Sequence, residues 1–93
     1  MERTFKQWKE LLGKDSIILV RTMMYYTAYN EDAERISSIF NLKLRDACRI
    51  CKKGITKECY FPNHAYSNYL RKIVQKGMKL YVLDSLDIDL YER

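Results

Sequence analysis

Ile17-Ile18-Leu19-Val20 is an unbroken apolar run, bounded by Lys14-Asp15 and followed by Arg21-Thr22-Met23-Met24-Tyr25-Tyr26. A β-branched run of this kind reads as a strand buried on both faces, the centre of a sheet. Residues 2–12 before it read as an amphipathic helix. Phe5, Trp8 and Leu11-Leu12 recur at three- and four-residue spacing, with Lys6, Lys9 and Glu10 between them. Gly13 stands where a left-handed C-cap belongs. Trp8 and Phe5 are core candidates.

After the run, Asn30-Glu31-Asp32 opens a second helix, with Asn30 as N-cap and two acids suited to the helix dipole. Its inner stripe is Ala33, Ile36, Ser37 and Phe40. Leu42-Lys43-Leu44-Arg45 alternates and reads as a strand. A mobile basic loop or hairpin follows, turning at Lys53-Gly54, with Glu58–Phe61 pairing back across it. Pro62-Asn63-His64 starts a third helix, with Asn63 as N-cap. Tyr66, Tyr69-Leu70 and Ile73-Val74 give its inner stripe, and Gly77 suits its end. Leu80–Leu83 is a last apolar strand. The order predicts an α/β fold: a small mixed β-sheet with about three flanking helices.

Length and composition agree. The chain has 93 residues, 47% apolar and 31% charged, with one Pro and three Gly. That fits a single domain over 1–93 and excludes a disordered chain or a multidomain enzyme. No apolar run approaches the ~20 residues of a membrane-spanning helix. The start, Met1–Lys6, has no apolar segment of a secretory signal, so a cytoplasmic protein is expected. The odd set Cys48, Cys51 and Cys59 fits a reducing compartment rather than a disulfide scaffold. With His64 it offers four zinc-ligand types, but only the Cys-x-x-Cys spacing suits a zinc site, so no metal is expected. Cys59 and His64 show no orienting acid, no carboxylate pair stands out, and Lys53–Lys57 is not a phosphate-binding loop. Neither an enzyme nor a cofactor is expected.

Charge is the functional hint. The net charge is +5, but residues 1–83 carry +8 and the tail 84–93 carries −3. Basic density peaks over 43–58, with Lys43, Arg45, Arg49, Lys52, Lys53 and Lys57 against two acids. Such a stretch is either a phosphate-contacting loop or a solvated one. Tyr25, Tyr26 and Tyr29 near Arg21 are either a stacking surface or rings closing a sheet edge. Met23-Met24 is either core or an adaptable contact surface. The tail alternates acidic and apolar residues from Asp87; it is an extra edge strand, a mobile tail or a docking segment, or it folds over the basic face and competes with DNA.

Two motifs in order carry a resemblance. Ile17 to Leu44 resembles the start of the mismatch-binding domain of MutS, the DNA mismatch-repair ATPase, with Asp32-Ala33-Glu34-Arg35 opening its helix. Pro62-Asn63-His64-Ala65, then Tyr69-Leu70-Arg71-Lys72-Ile73-Val74-Gln75-Lys76-Gly77, resembles that domain's second half. The similarity covers roughly 15–84. It implies a MutS domain I-like fold and a DNA-binding module without ATPase, whose partner is double-stranded DNA with or without a mismatch. In the family a Phe-x-Glu pair stacks on and hydrogen-bonds a mispaired base; here Tyr25 and Thr27 hold those positions, and Met23-Met24 replaces Gly-Asp. A Tyr ring still stacks; Thr27 is shorter and uncharged. The nucleic-acid set is thus Arg21, Tyr25, Thr27, Lys43, Arg45, Arg49, Lys52, Lys53 and Lys57. The alternative keeps the fold and loses mismatch reading, leaving a module for a protein partner or a homodimer.

Overall fold

The computed structural model describes residues 3–47 and 54–90. The apolar run becomes β2 (Ile17–Arg21), with its first four residues buried. It is flanked by β3 (Tyr25–Tyr29) and β6 (Leu80–Asp84), the latter parallel to it. β5 (Lys57–Pro62) pairs antiparallel with β3, and β4 (Arg45–Asp46) with β5. The resulting mixed sheet runs β4-β5-β3-β2-β6. A second, two-stranded sheet joins β1 (Arg3–Thr4) to β7 (Ile88–Asp89) in parallel. The helices are α1 (Phe5–Leu12), α2 (Asn30–Phe40) and α3 (Tyr66–Gln75). The expected α/β class, a mixed sheet with three helices, is therefore present among the described residues.

The sheet divides two cores. On one face, Phe5 of α1 packs with Ile18, Val20, Tyr29, Ile88 and Leu90, and Trp8 lies against them. On the other, Ala33 and Ile36 of α2 and Ile73 of α3 cover Ile17, Leu19, Ala28, Cys59 and Phe61. Residues 84–90 of the acidic-apolar tail are thus part of the fold. Ile88 and Leu90 are buried, and the Trp8 indole N–H donates to the Asp87 carbonyl at 3.2 Å.

Several local expectations are corrected. Leu42–Leu44 is not a strand; pairing begins at Arg45, where β5 supplies a partner. Neither asparagine caps its helix. Asn30 has φ of 52° and turns its amide to residues 54–57: it donates to the Gly54 carbonyl at 2.9 Å and accepts from the Thr56 N–H at 2.9 Å. Asn63 bonds back to the β2–β3 hairpin instead. Gly13 has a positive φ of 106° with an extended ψ of 136°, a conformation other than the left-handed helical one, and its N–H still closes onto the Lys9 carbonyl. Val74 is exposed, so the α3 stripe is narrower than its sequence suggests.

One buried ion pair joins both layers. Lys9 of α1 donates to the Asp32 carboxylate of α2 at 2.8 Å and also to the Ser16 carbonyl. The other carboxylate oxygen accepts the Ile18 N–H at 3.0 Å. Asp32 is fully buried, and Arg35 stands 4.0 Å away. Burial pushes the Asp32 carboxyl above its ordinary value, while the Lys9 and Ile18 hydrogen bonds and the Lys9 and Arg35 charges pull it back. A carboxyl raised on folding supports the fold fully below its unfolded pKa, and that support is lost as pH rises through the raised value. Removing Lys9 lifts it further. Lys9→Met is expected to cost about 3–5 kcal/mol near neutral pH, because it strands a buried charge. The cost should shrink as pH falls and Asp32 takes up a proton. Denaturant unfolding of both proteins from about pH 4 to pH 7 measures this; a pH-independent cost would remove Asp32 as the reason.

Candidate nucleic-acid interface

Strand parity sorts the sequence-derived residues onto two faces. Tyr25, Thr27 and Tyr29 of β3 share the α1 face with Tyr60, because Thr27 lies opposite Tyr60 and Val20. Arg45 pairs with Glu58 and therefore lies on that face too. Its guanidinium sits over the Tyr60 ring, 5.2 Å from the centroid, and Tyr60 meets Tyr25 edge-on at 4.9 Å. The three form a diagonal Arg45–Tyr60–Tyr25 row across β4, β5 and β3. Tyr25 is 38% exposed and Thr27 only 8%, so the threonine presents little surface next to the ring. A groove of ≈ 280 Å³ is lined by Tyr25, Thr27 and Tyr60 together with Ser85 and Leu90 of the tail.

Arg21 is not brought into the row. Its register partner is Tyr26, which places it on the α2/α3 face, exposed at the end of β2 beside the hairpin tip. Tyr26 stacks there against Phe61 and Tyr66, at 5.7 and 4.4 Å, as core aromatic packing. Lys57 shares that face and is ion-paired with Asp46. Lys43 is exposed between α2 and β4. Arg49, Lys52 and Lys53 lie outside the described residues.

The hairpin tip between β2 and β3 is a feature the sequence left open. Thr22 donates its N–H to the Tyr25 carbonyl at 2.8 Å, and its hydroxyl accepts the Tyr25 N–H at 3.2 Å. Asn63 clamps the tip from the 3-10 turn that precedes α3. Its N–H donates to the Met24 carbonyl at 2.9 Å and its side-chain amide to the Met23 carbonyl at 3.0 Å. On this fixed backbone Met23 is 94% exposed and Met24 65%, which excludes the core reading of the pair.

Cys59 is fully buried on the α2/α3 face, and burial pushes its thiol up. A protonated core thiol is neither nucleophile nor ligand. His64 is exposed in the turn after β5. Cys48 and Cys51 lie outside the described residues, and among the described ones no group of His, Cys, Asp and Glu is arranged to hold a metal. No described helix is long and apolar enough to cross a membrane.

The family model for MutS domain I matches residues 1–90. The chain belongs to the MutS domain I family. The DNA mismatch repair protein MutS of Thermosipho melanesiensis is 33% identical over 92 residues, covering 94% of this chain and 10% of that protein. MutS of Thermotoga neapolitana is 35% identical over 74 residues, 80% of this chain and 8% of that protein. MutS of Flavobacterium johnsoniae is 32% identical over 89 residues, 88% and 10% respectively. This MutS domain I chain therefore spans about a tenth of the length of the curated relatives it matches.

Asn63→Ala removes the side-chain half of the clamp. The expected loss is about 0.5–1.5 kcal/mol, as for a partly exposed hydrogen bond. It should be local: the Thr22 and Tyr25 amides exchange faster, while Leu19 in the core is unchanged. Unaltered exchange at the tip would show that Asn63 does not hold it.

Proposed function

We propose that this chain is a non-enzymatic, ATP-independent DNA-binding module related to the mismatch-recognition domain of MutS, acting in the cytoplasm. The observation that carries it is the half-exposed Tyr25 ring, braced by Tyr60 with the Arg45 guanidinium beyond, at the position that stacks on bases in the family. An aromatic ring flanked by cations is suited to a base plane and its phosphates together. Arg21 approaches the same hairpin from the opposite face. Lys43 and Arg45, with Arg49, Lys52 and Lys53 on the strength of their charge, supply backbone contacts. Lys57 contributes less, since Asp46 already pairs with it. Thr27, only 8% exposed, is at most a weak polar contact.

A second reading rests on the exposed Met23-Met24 tip: the fold serves a protein partner or a homodimer. Fluorescence anisotropy on short labelled duplexes, paired and mismatched, separates the two. Wild type should bind with strong salt dependence. Arg45→Ala should weaken binding to every duplex and lower the salt slope by about 1. Tyr25→Ala should cost about 1–3 kcal/mol where a base is free to stack. No binding at low salt, with a stoichiometric dimer or protein complex instead, would replace the first reading by the second.

A further inference from the structure

We propose that the open edge of β6 pairs antiparallel with the β6 of a second copy, joining two five-stranded sheets into one across a two-fold axis at Val82. The two edge strands of the sheet differ in kind. β4 has two residues, Arg45-Asp46, both charged and exposed, and short charged edges resist pairing. β6 has five residues, and its Leu80-Tyr81-Val82-Leu83 stretch holds neither a charge nor a proline. An apolar edge of this length is a template for another strand.

The ladder to β2 decides which backbone groups face outward. The Ile17 N–H donates to the Lys79 carbonyl at 2.8 Å, and Ile17 pairs with Leu80. In a parallel ladder, alternate residues of a strand turn both backbone groups to the same neighbour. Lys79, Tyr81 and Leu83 therefore face β2, while Leu80, Val82 and Asp84 face the open side. Among the described residues, no partner holds the backbone N–H or carbonyl of Leu80 or Val82, or the N–H of Asp84. An antiparallel strand centred on Val82 satisfies them. The two Val82 residues exchange N–H···O bonds, and each Asp84 N–H reaches the partner's Leu80 carbonyl.

Side chains agree with that register. Val82 shares the α2/α3 face with Leu80 and is 40% exposed, so two copies of it meet across the axis. Val74 of α3, 58% exposed, adds apolar surface on that side of the sheet. Charge selects a second copy as the occupant. Exposed Lys76 and Lys79 precede the apolar stretch, and exposed Asp84 and Asp87 follow it. No ion pair joins any of the four to another described residue. Antiparallel self-pairing sets the cationic end of each copy against the acidic end of the other, whereas a parallel copy would set like against like. β2 separates β6 from the Arg45–Tyr60–Tyr25 row, so the pairing leaves that row open and stands apart from the DNA-binding reading.

Sedimentation equilibrium of the full chain, with amide exchange followed by NMR, tests the pairing. The mass should rise from that of one chain toward that of two across about 10–500 μM, the range of a small interface. The Val82 and Asp84 amides should exchange about tenfold more slowly at the top of that range than at the bottom. The Tyr81 and Leu83 amides, already bonded to β2, should be protected at both. Val82→Lys puts like charges directly across the axis and should weaken association about tenfold or more, while Val82→Thr should stay within about threefold of wild type. Because Val82 is exposed, dilute Val82→Lys should unfold at the temperature of dilute wild type. A chain that stays monomeric, a dimer that leaves the Val82 and Asp84 amides unprotected, or association unchanged by Val82→Lys each overturns the edge pairing. All three leave the DNA-binding reading standing.

Discussion

The fold depends on a carboxylate that has no water to fall back on. β3 ends at Tyr29 and turns at once into α2, so the β2 N–H groups facing it run out of strand partners. Ile17 bonds toward β6 through Lys79, which leaves Ile18 pointing to the vacated side. Asp32 fills that side, and its charge is balanced by Lys9 from the helix across the sheet. A buried pair of this kind adds little net stability over apolar packing, but each partner makes the absence of the other expensive. Its effect is to fix geometry. α1, the entry to β2 and α2 have one mutual arrangement in which every atom of the pair is satisfied.

Much of this was legible locally. The Ile17–Val20 run, the helical stripes from Phe5 and Ala33, and the last strand near Leu80 all obey simple periodicity. What escaped was nonlocal. Asn30 and Asn63 each carry the residue type of an N-cap, yet their amides bond across 24–27 and 40 residues to segments the chain brings alongside. A side chain with both a donor and an acceptor fits either use, and sequence spacing does not choose between them. Leu42–Leu44 alternates like a strand and has no partner; Arg45–Asp46 pairs because β5 arrives there. A strand is a property of two segments, so one segment's pattern only nominates it.

The candidate site was legible as a list and not as a surface. Arg21 and Tyr25 are four residues apart and look adjacent. The turn between them reverses the chain, and the register Arg21↔Tyr26 sends them to opposite faces. Tyr60 went unnoticed because nothing near it in sequence marks it. Only the β3–β5 pairing makes it the bridge between Tyr25 and Arg45. The tail shows the converse. Its acidic charge suggests a mobile competitor for DNA, but Ile88 and Leu90 are core, so apolar burial fixes this segment to the α1 face of the sheet.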